Sequence, residues 1–318
     1  MIDKKKASIA GRLGYTAGVM RHLLLLASCL LCVLSTPACA AGQAPVANGS
    51  VWKVEGGGSR IYLCGTIHLL REKDFPLSPS YDVAYNDCQR VVFELPPGSQ
   101  HDPRLAELMR DAGSYPEGTQ LQEKIKPQTW QAFNAWCQKR GVPADPFKQM
   151  RPWLAALTVA ATEYAAVGAV SDRGVDFVFE ERMQKDHKAG DGLETVDFQI
   201  GLFSKLTEAQ QASLLEQTLT EVKTLPNEFE RMIGDWRNGD IEDLNKMMFA
   251  EAKNYPDLMD IFLINRNKSW IKKLEGYLAK PEHVMVLVGA GHLGGDTGVI
   301  AMLKARGYKV SQVTAAEH

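Results

Sequence analysis

Two histidines stand in the same short motif, Gly-x-x-His, in distant parts of the sequence. The first motif covers residues 65–68 and the second covers residues 289–292, and each directly follows an apolar run typical of a β-strand. If both strands belong to one parallel sheet, His68 and His292 emerge at its carboxyl edge, where open α/β sheets place their ligands. Neutral imidazole is the commonest transition-metal ligand, so the pair indicates a metal site. The alternative is that each histidine only bonds a loop carbonyl.

Two glutamates stand at the ends of other predicted strands. Glu94 closes the apolar run at 90–95, and Glu194 lies in a short predicted strand near 192–196. Two histidines and Glu94 form a plausible ligand set for a divalent ion, with room for a water molecule. Glu194 is a candidate further ligand or general base. A carboxylate salt-bridged at the rim of the sheet is the alternative for Glu94.

An arginine in a predicted helix completes the candidate residues. Arg266 and Asn267 lie early in the helix that leads to Trp270. Arg266 could clamp a substrate carboxylate or stabilise an oxyanion, although a solvated helix face also explains an arginine there.

Other catalytic schemes fit the sequence less well. Gly289-x-Gly291-x-x-Gly294 matches a dinucleotide fingerprint, but the next predicted strand, at 308–313, ends without the acidic residue that would hold the ribose. The sequence contains no Gly-x-Ser-x-Gly elbow and no His-Glu-x-x-His helix. Cys64 lies inside a predicted strand and is better explained as a packed residue than as a nucleophile.

The elements that must position these residues form one α/β (α+β) domain over residues 41–318. A hairpin, a strand-helix-strand unit and a final strand-helix-strand unit surround a mostly helical stretch. We therefore predict a mixed, largely parallel sheet from segments at about 50–97 and 283–314. A large helical insertion, at about 102–282, should contain one short strand.

The first forty residues predict export. A basic arm leads into an apolar run at 23–35 and then into Ala38-Cys39-Ala40, the pattern of a secretory signal peptide over residues 1–40. The protein should be periplasmic or secreted, whether translation starts at Met1 or at Met20. A lipoprotein anchored at Cys29 is the less favoured alternative. No later run is apolar and long enough to predict a stable transmembrane span.

Charge and cysteine content narrow the partners. The chain has 36 basic and 38 acidic residues, and removing residues 1–40 leaves 31 basic against 37 acidic. This balance makes nucleic acid an unsuitable partner. A peptide or another small substrate is the partner expected of the hydrolase discussed below. Cys64, Cys88 and Cys137 remain after processing, and a Cys64–Cys88 disulfide stays open.

Taken together, the motifs resemble the TraB/GumN family over about residues 50–314. The resemblance rests on both Gly-x-x-His motifs and on three further blocks: Phe93-Glu94-Leu95, Gly192-Leu193-Glu194-Thr195 and Arg266-Asn267. Gly294 stands where family members often carry proline.

The resemblance implies a relation to the TIKI metalloproteases, which use manganese- or cobalt-like ions, and an α/β fold like that of erythromycin esterase and ChaN. It assigns His68, Glu94 and His292 to a metal ion and gives Glu194 and Arg266 supporting roles. It fixes no substrate.

The sequence thus favours an exported, divalent-metal-dependent hydrolase that acts on a peptide bond. Manganese, cobalt or zinc would activate water, Glu94 or Glu194 would accept its proton, and Arg266 would steady the oxyanion. The alternatives are a non-catalytic protein that binds a metal or haem and an accessory factor in surface polysaccharide assembly.

Overall fold

The fold is organised around a six-stranded mixed sheet. The computed structural model describes residues 48–249 and 256–314, and the strand order across the sheet is β4-β3-β5-β2-β1-β6. The neighbours among β4, β3, β5 and β2 pair in parallel, whereas β1 is antiparallel to both β2 and β6. The strands are β1 (Val51–Gly56), β2 (Ser59–Thr66), β3 (Arg90–Phe93), β4 (Ala189–Gly192), β5 (Val284–Gly289) and β6 (Lys309–Gln312).

The predicted mixed α/β fold is confirmed. Five strands come from the two segments predicted to form the sheet, and the insertion contributes β4 at the edge beside β3. The sequence placed this strand near 192–196, but β4 ends at Gly192, so Glu194 follows the strand rather than lying within it. Thr195 then caps the next helix, because its side chain accepts a hydrogen bond from the Phe198 amide.

Helices cover both faces of the sheet, since every residue of β5 is buried. A π-helix, Asp260–Ile264, leads directly into the α-helix that begins at Asn265. The α-helices of the described residues are α1 (Pro79–Asp87), α2 (Arg104–Gly113), α3 (Leu121–Lys124), α4 (Pro127–Arg140), α5 (Pro152–Ala166), α6 (Val175–Lys185), α7 (Val196–Ser204), α8 (Glu208–Glu221), α9 (Leu225–Asn238), α10 (Ile241–Phe249), α11 (Pro256–Met259), α12 (Asn265–Leu278) and α13 (Val299–Lys304).

Several helix ends follow simple sequence rules. Pro79, Pro127 and Pro152 each begin a helix, where a missing backbone N–H costs no hydrogen bond. Gly141 and Gly239 end α4 and α9 in the left-handed conformation that glycine adopts without strain. These residues therefore fix where their helices begin or end.

Cys64, Cys88 and Cys137 are buried free thiols. Burial, with a smaller effect from Cys88, raises the pKa of the Cys64 thiol. Among the described residues, no helix is both long and apolar enough to cross a bilayer. The predicted signal peptide, residues 1–40, lies outside the part of the chain that the structure describes.

Candidate functional site

Four predicted site residues follow four adjacent parallel strands at one edge of the sheet. Glu194 follows β4, Glu94 follows β3, His292 follows β5 and His68 follows β2. All four are buried. Neighbouring strands are about 4.8 Å apart, so the ends of β4 and β2 are separated by roughly 14 Å. Glu94 and His292 consequently hold the central positions, and Glu194 and His68 the outer ones.

Glu94 and Glu194 form a pair of buried carboxylates. The β3–β4 pairing continues past the strand ends, because the Glu194 amide donates to the Glu94 carbonyl oxygen over 2.8 Å. The amide nitrogen of Gln199 donates to Oε2 of both glutamates, at 3.2 and 3.0 Å. The backbone N–H of Gly289, the first residue of the second motif, donates to Glu94 Oε1 over 2.7 Å. The two carboxylates are thus held side by side by the backbone and by Gln199.

Arg266 neutralises much of this charge. Its Nε donates to Glu194 and its Nη2 donates to both glutamates, with contacts of 2.6–3.1 Å. Its Nη1 donates to the Phe262 carbonyl oxygen at 3.2 Å and lies 3.1 Å from His292 Nε2. The guanidinium has five N–H groups, and these acceptors account for all five. The oxyanion role predicted from the sequence would require Arg266 to give up one of these bonds.

Burial alone would favour the neutral form of Arg266, but the charges of Glu94 and Glu194 outweigh burial and raise its pKa. The Trp270 indole N–H donates to Glu194 Oε1 over 2.9 Å. The guanidinium also lies against the Trp270 ring, 5.1 Å from the ring centroid. Arg266 is therefore a fixed cation enclosed by acceptors and by an aromatic face.

His292 is neutral, and its partners determine its tautomer. Because arginine can only donate, Nε2 must accept from Arg266 and the proton must sit on Nδ1. Nδ1 accordingly donates to Asn267 Oδ1 over 2.6 Å, while the Asn267 amide donates to the Thr297 carbonyl oxygen over 2.9 Å. Burial, and then the charges of Arg266 and His68, lowers the pKa of His292 well below the ordinary value.

This neutral histidine predicts a specific loss of stability in acid. Below about pH 6.5, the unfolded chain binds a proton at residue 292 that the folded protein does not bind. The free energy of unfolding should therefore fall by up to about 1.4 kcal/mol per pH unit from this residue alone. The urea concentration at the midpoint of unfolding should fall as the pH is lowered from 7.5 to 5. This fall should be less steep in His292→Gln than in the wild type. An exposed-histidine control, His101→Gln, should keep the wild-type slope, and equal slopes in all three proteins would contradict the assignment.

His68 pairs with an aspartate that the sequence did not predict as a site residue. His68 Nδ1 lies 2.7 Å from Asp176 Oδ2, and both residues are buried. Asp176 stands in the first turn of α6, which begins against the first motif because the Val175 amide donates to the Ile67 carbonyl oxygen. A Cβ on Gly174 would lie 2.3 Å from the His68 carbonyl oxygen, so only glycine allows this approach.

The two Gly-x-x-His motifs face a common small cavity. Its volume is about 10 Å³, near the lower limit for one water molecule. It is lined by Thr66, Ile67, His68, Met232, Met248, Gly289, Ala290 and Gly291. The backbone of the second motif therefore forms the wall that faces the His68 side of the site.

As arranged here, these residues do not fit a metal ion. Both histidines have an oxygen partner on Nδ1, a feature common among metal-binding histidines. Arg266, however, already contacts His292 Nε2 and both carboxylates. Within residues 48–249 and 256–314, no group of three or more His, Cys, Asp or Glu side chains could hold an ion. The metal role of His68, Glu94 and His292 stays a prediction.

The sequence did not predict Asp176 or Gln199, which lie in helices of the insertion. Asp176 lies 108 positions from His68, and Gln199 lies 105 positions from Glu94. A glycine directly before a helix, as at Gly174, is the one local signal that α6 approaches another backbone closely.

Comparisons with known proteins find similar sequences over most of the chain. The model of the TraB/PrgY/gumN family matches residues 50–312. The uncharacterized protein YbaP of Escherichia coli K12 is 25% identical over 248 residues, which cover 78% of this chain and 89% of that protein. Metalloprotease TIKI1 of Danio rerio is 21% identical over 310 residues, covering 80% of this chain and 61% of that protein. No solved structure matches the chain significantly.

Proposed function

Because the chain belongs to the TraB/PrgY/gumN family, we propose that it is an exported hydrolase that cleaves a peptide bond, with His68 as the base that activates water. The similarity to a protein named metalloprotease TIKI1 supports peptide hydrolysis as the reaction class. Export rests on the signal-peptide pattern of residues 1–40.

The observation that carries the proposal is the His68–Asp176 pair beside the water-sized cavity. Asp176 Oδ2 accepts a hydrogen bond from His68 Nδ1–H, so Nε2 is the nitrogen that would take a proton from water. A positioned imidazole of this kind accepts a proton from water and returns it to the leaving amine. The Asp176 carboxylate stabilises the imidazolium that forms between those steps. Oxygen from water adds to the carbonyl carbon, and the C–N bond breaks.

Glu94, Glu194, Arg266 and His292 form a buried cluster beside this pair. In the proposal this cluster has a positioning role. Glu94, Glu194 and Arg266 engage one another, so neither glutamate is an open proton acceptor. Glu94 instead holds the Gly289 amide, and His292 is fixed by Arg266 and Asn267. These contacts keep the second motif in place as the wall of the cavity opposite His68. A divalent ion has no place in this arrangement, so the proposal assigns no step to one.

The test is hydrolysis of a broad peptide pool by residues 41–318, read by mass spectrometry. The wild type should produce new amino termini, and His68→Ala should produce them at least about 10²-fold more slowly while retaining its helical circular dichroism. His101→Ala changes an exposed histidine in the 3-10 helix Ser99–His101 and should cleave like the wild type. A chelator arm run in parallel measures metal dependence separately. If His68→Ala cleaved peptides at the wild-type rate, the role of His68 would be refuted.

A further inference from the structure

We infer that Arg266 is the resident cation of this site and that it excludes a divalent metal ion from His292 and Glu94. The inference rests on the proposed function only in taking this edge of the sheet as the functional site. It concerns which cation the buried carboxylates hold, and binding measurements decide it without any turnover.

The imidazole of His292 cannot bind Arg266 and a metal ion at the same time. Nε2 of a neutral imidazole has one lone pair, and that lone pair accepts from Arg266 Nη1 at 3.1 Å. An ion bound on the same lone pair, about 2.1 Å from Nε2, would lie roughly 1 Å from Nη1. His292 therefore cannot bind an ion while it accepts from Arg266. The two contacts are alternatives.

The carboxylate oxygens of Glu94 and Glu194 already accept hydrogen bonds from the protein. Oε2 of Glu94 faces Arg266 at 2.6 Å, and Oε2 of Glu194 faces it at 2.7 Å. The remaining oxygens accept the Gly289 amide and the Trp270 indole N–H. Glu94 Oε1, 3.9 Å from His292 Nε2, is thus already bonded to backbone. An added divalent ion would have to break several of these bonds and also approach a guanidinium of the same sign.

The planar shape of the Arg266 guanidinium fits the acceptors that surround it. Its five N–H groups match five acceptor directions from Glu94, Glu194, His292 and Phe262. Lysine or a spherical ion cannot reproduce that planar pattern. The π-helix before α12 contributes the Phe262 carbonyl oxygen, so the local backbone is also arranged around Arg266. The structure assigns this cluster to arginine.

The experiment measures metal binding by chelator-treated residues 41–318. Four proteins are each dialysed against manganese, cobalt or zinc: the wild type, His292→Asn, Glu94→Gln and Arg266→Met. The number of ions bound per chain is then measured by mass spectrometry. Wild type and His292→Asn should hold the same amount of each ion. Arg266→Met uncovers the two carboxylates and Nε2, so it should bind an ion at least about tenfold more tightly than the wild type. Its melting temperature should rise when that ion is added.

Two results would overturn the inference. One is a wild-type protein that holds about one ion per chain and loses it in His292→Asn or Glu94→Gln. The other is a folded Arg266→Met protein that gains no ion, because arginine would then not be what keeps the ion out. If Arg266→Met does not fold, the comparison of wild type with His292→Asn and Glu94→Gln decides alone. Failure to cleave peptides would count against the proposed function and leave these binding results unaffected.

Discussion

Replacing Arg266 with methionine should lower the free energy of unfolding by about 3–5 kcal/mol, the usual cost of leaving buried charges without their partner. The side chains of Arg266, Glu94 and Glu194 are 2%, 3% and 3% exposed, so water cannot take over the lost hydrogen bonds. Methionine preserves much of the apolar stem and removes only the charge and the donors. Urea denaturation followed by circular dichroism at pH 7.5 measures the loss.

A surface arginine provides the matched control for this prediction. Arg231 is 64% exposed and lies 3.8 Å from Asp235 one turn along α9. Arg231→Met should therefore change the stability by no more than about 1 kcal/mol. Adding Glu194→Gln to Arg266→Met removes one of the two uncompensated charges and should recover part of the loss. A stability for Arg266→Met within about 1 kcal/mol of the wild type would show that the cluster does not carry this energy.

Much of the strand framework could be predicted because the chemistry follows apolar runs. His68, Glu94 and His292 each lie within three residues of the end of a parallel strand, and that pattern is visible along the chain. Parallel strands bring such positions to one edge. β4 was harder to predict, because Ala189-Gly190-Asp191-Gly192 is short, mostly exposed and lacks β-branched residues. Its position depends on pairing with β3, which a local pattern does not encode.

The partners of the predicted residues could not be derived, because they depend on how helices pack far away in sequence. Asp176 is one acidic residue among many until α6 docks against the first motif. Arg266 was recognised as a candidate, but its role was assigned to substrate. A sequence shows that an arginine is present and does not show how many of its N–H groups the fold already uses. That number, all five here, changes Arg266 from a substrate ligand to a positioning residue.

If His68 is the base, Asp176→Asn should lower kcat by about 10²–10⁴-fold, comparable to the loss in His68→Ala. Asparagine has the size of aspartate but cannot stabilise the imidazolium, and its amide can hold the wrong His68 tautomer. The two residues act as one unit, so the double variant should be no slower than the slower single variant. Rates of peptide cleavage at saturating substrate measure this directly. The pH at which activity is half-maximal should also move in Asp176→Asn, which a purely structural role would not cause.

Glu180→Gln is the control that separates the pair from a general loss of charge in α6. Glu180 lies one turn after Asp176, is also buried, and accepts the Gly98 amide over 2.6 Å. Burial is the main cause that raises its pKa, so the substitution removes a carboxyl group from a similar environment. It should leave both kcat and the pH profile close to those of the wild type. Equal losses in Glu180→Gln and Asp176→Asn would mean that the negative field of the helix matters and the His68–Asp176 hydrogen bond does not.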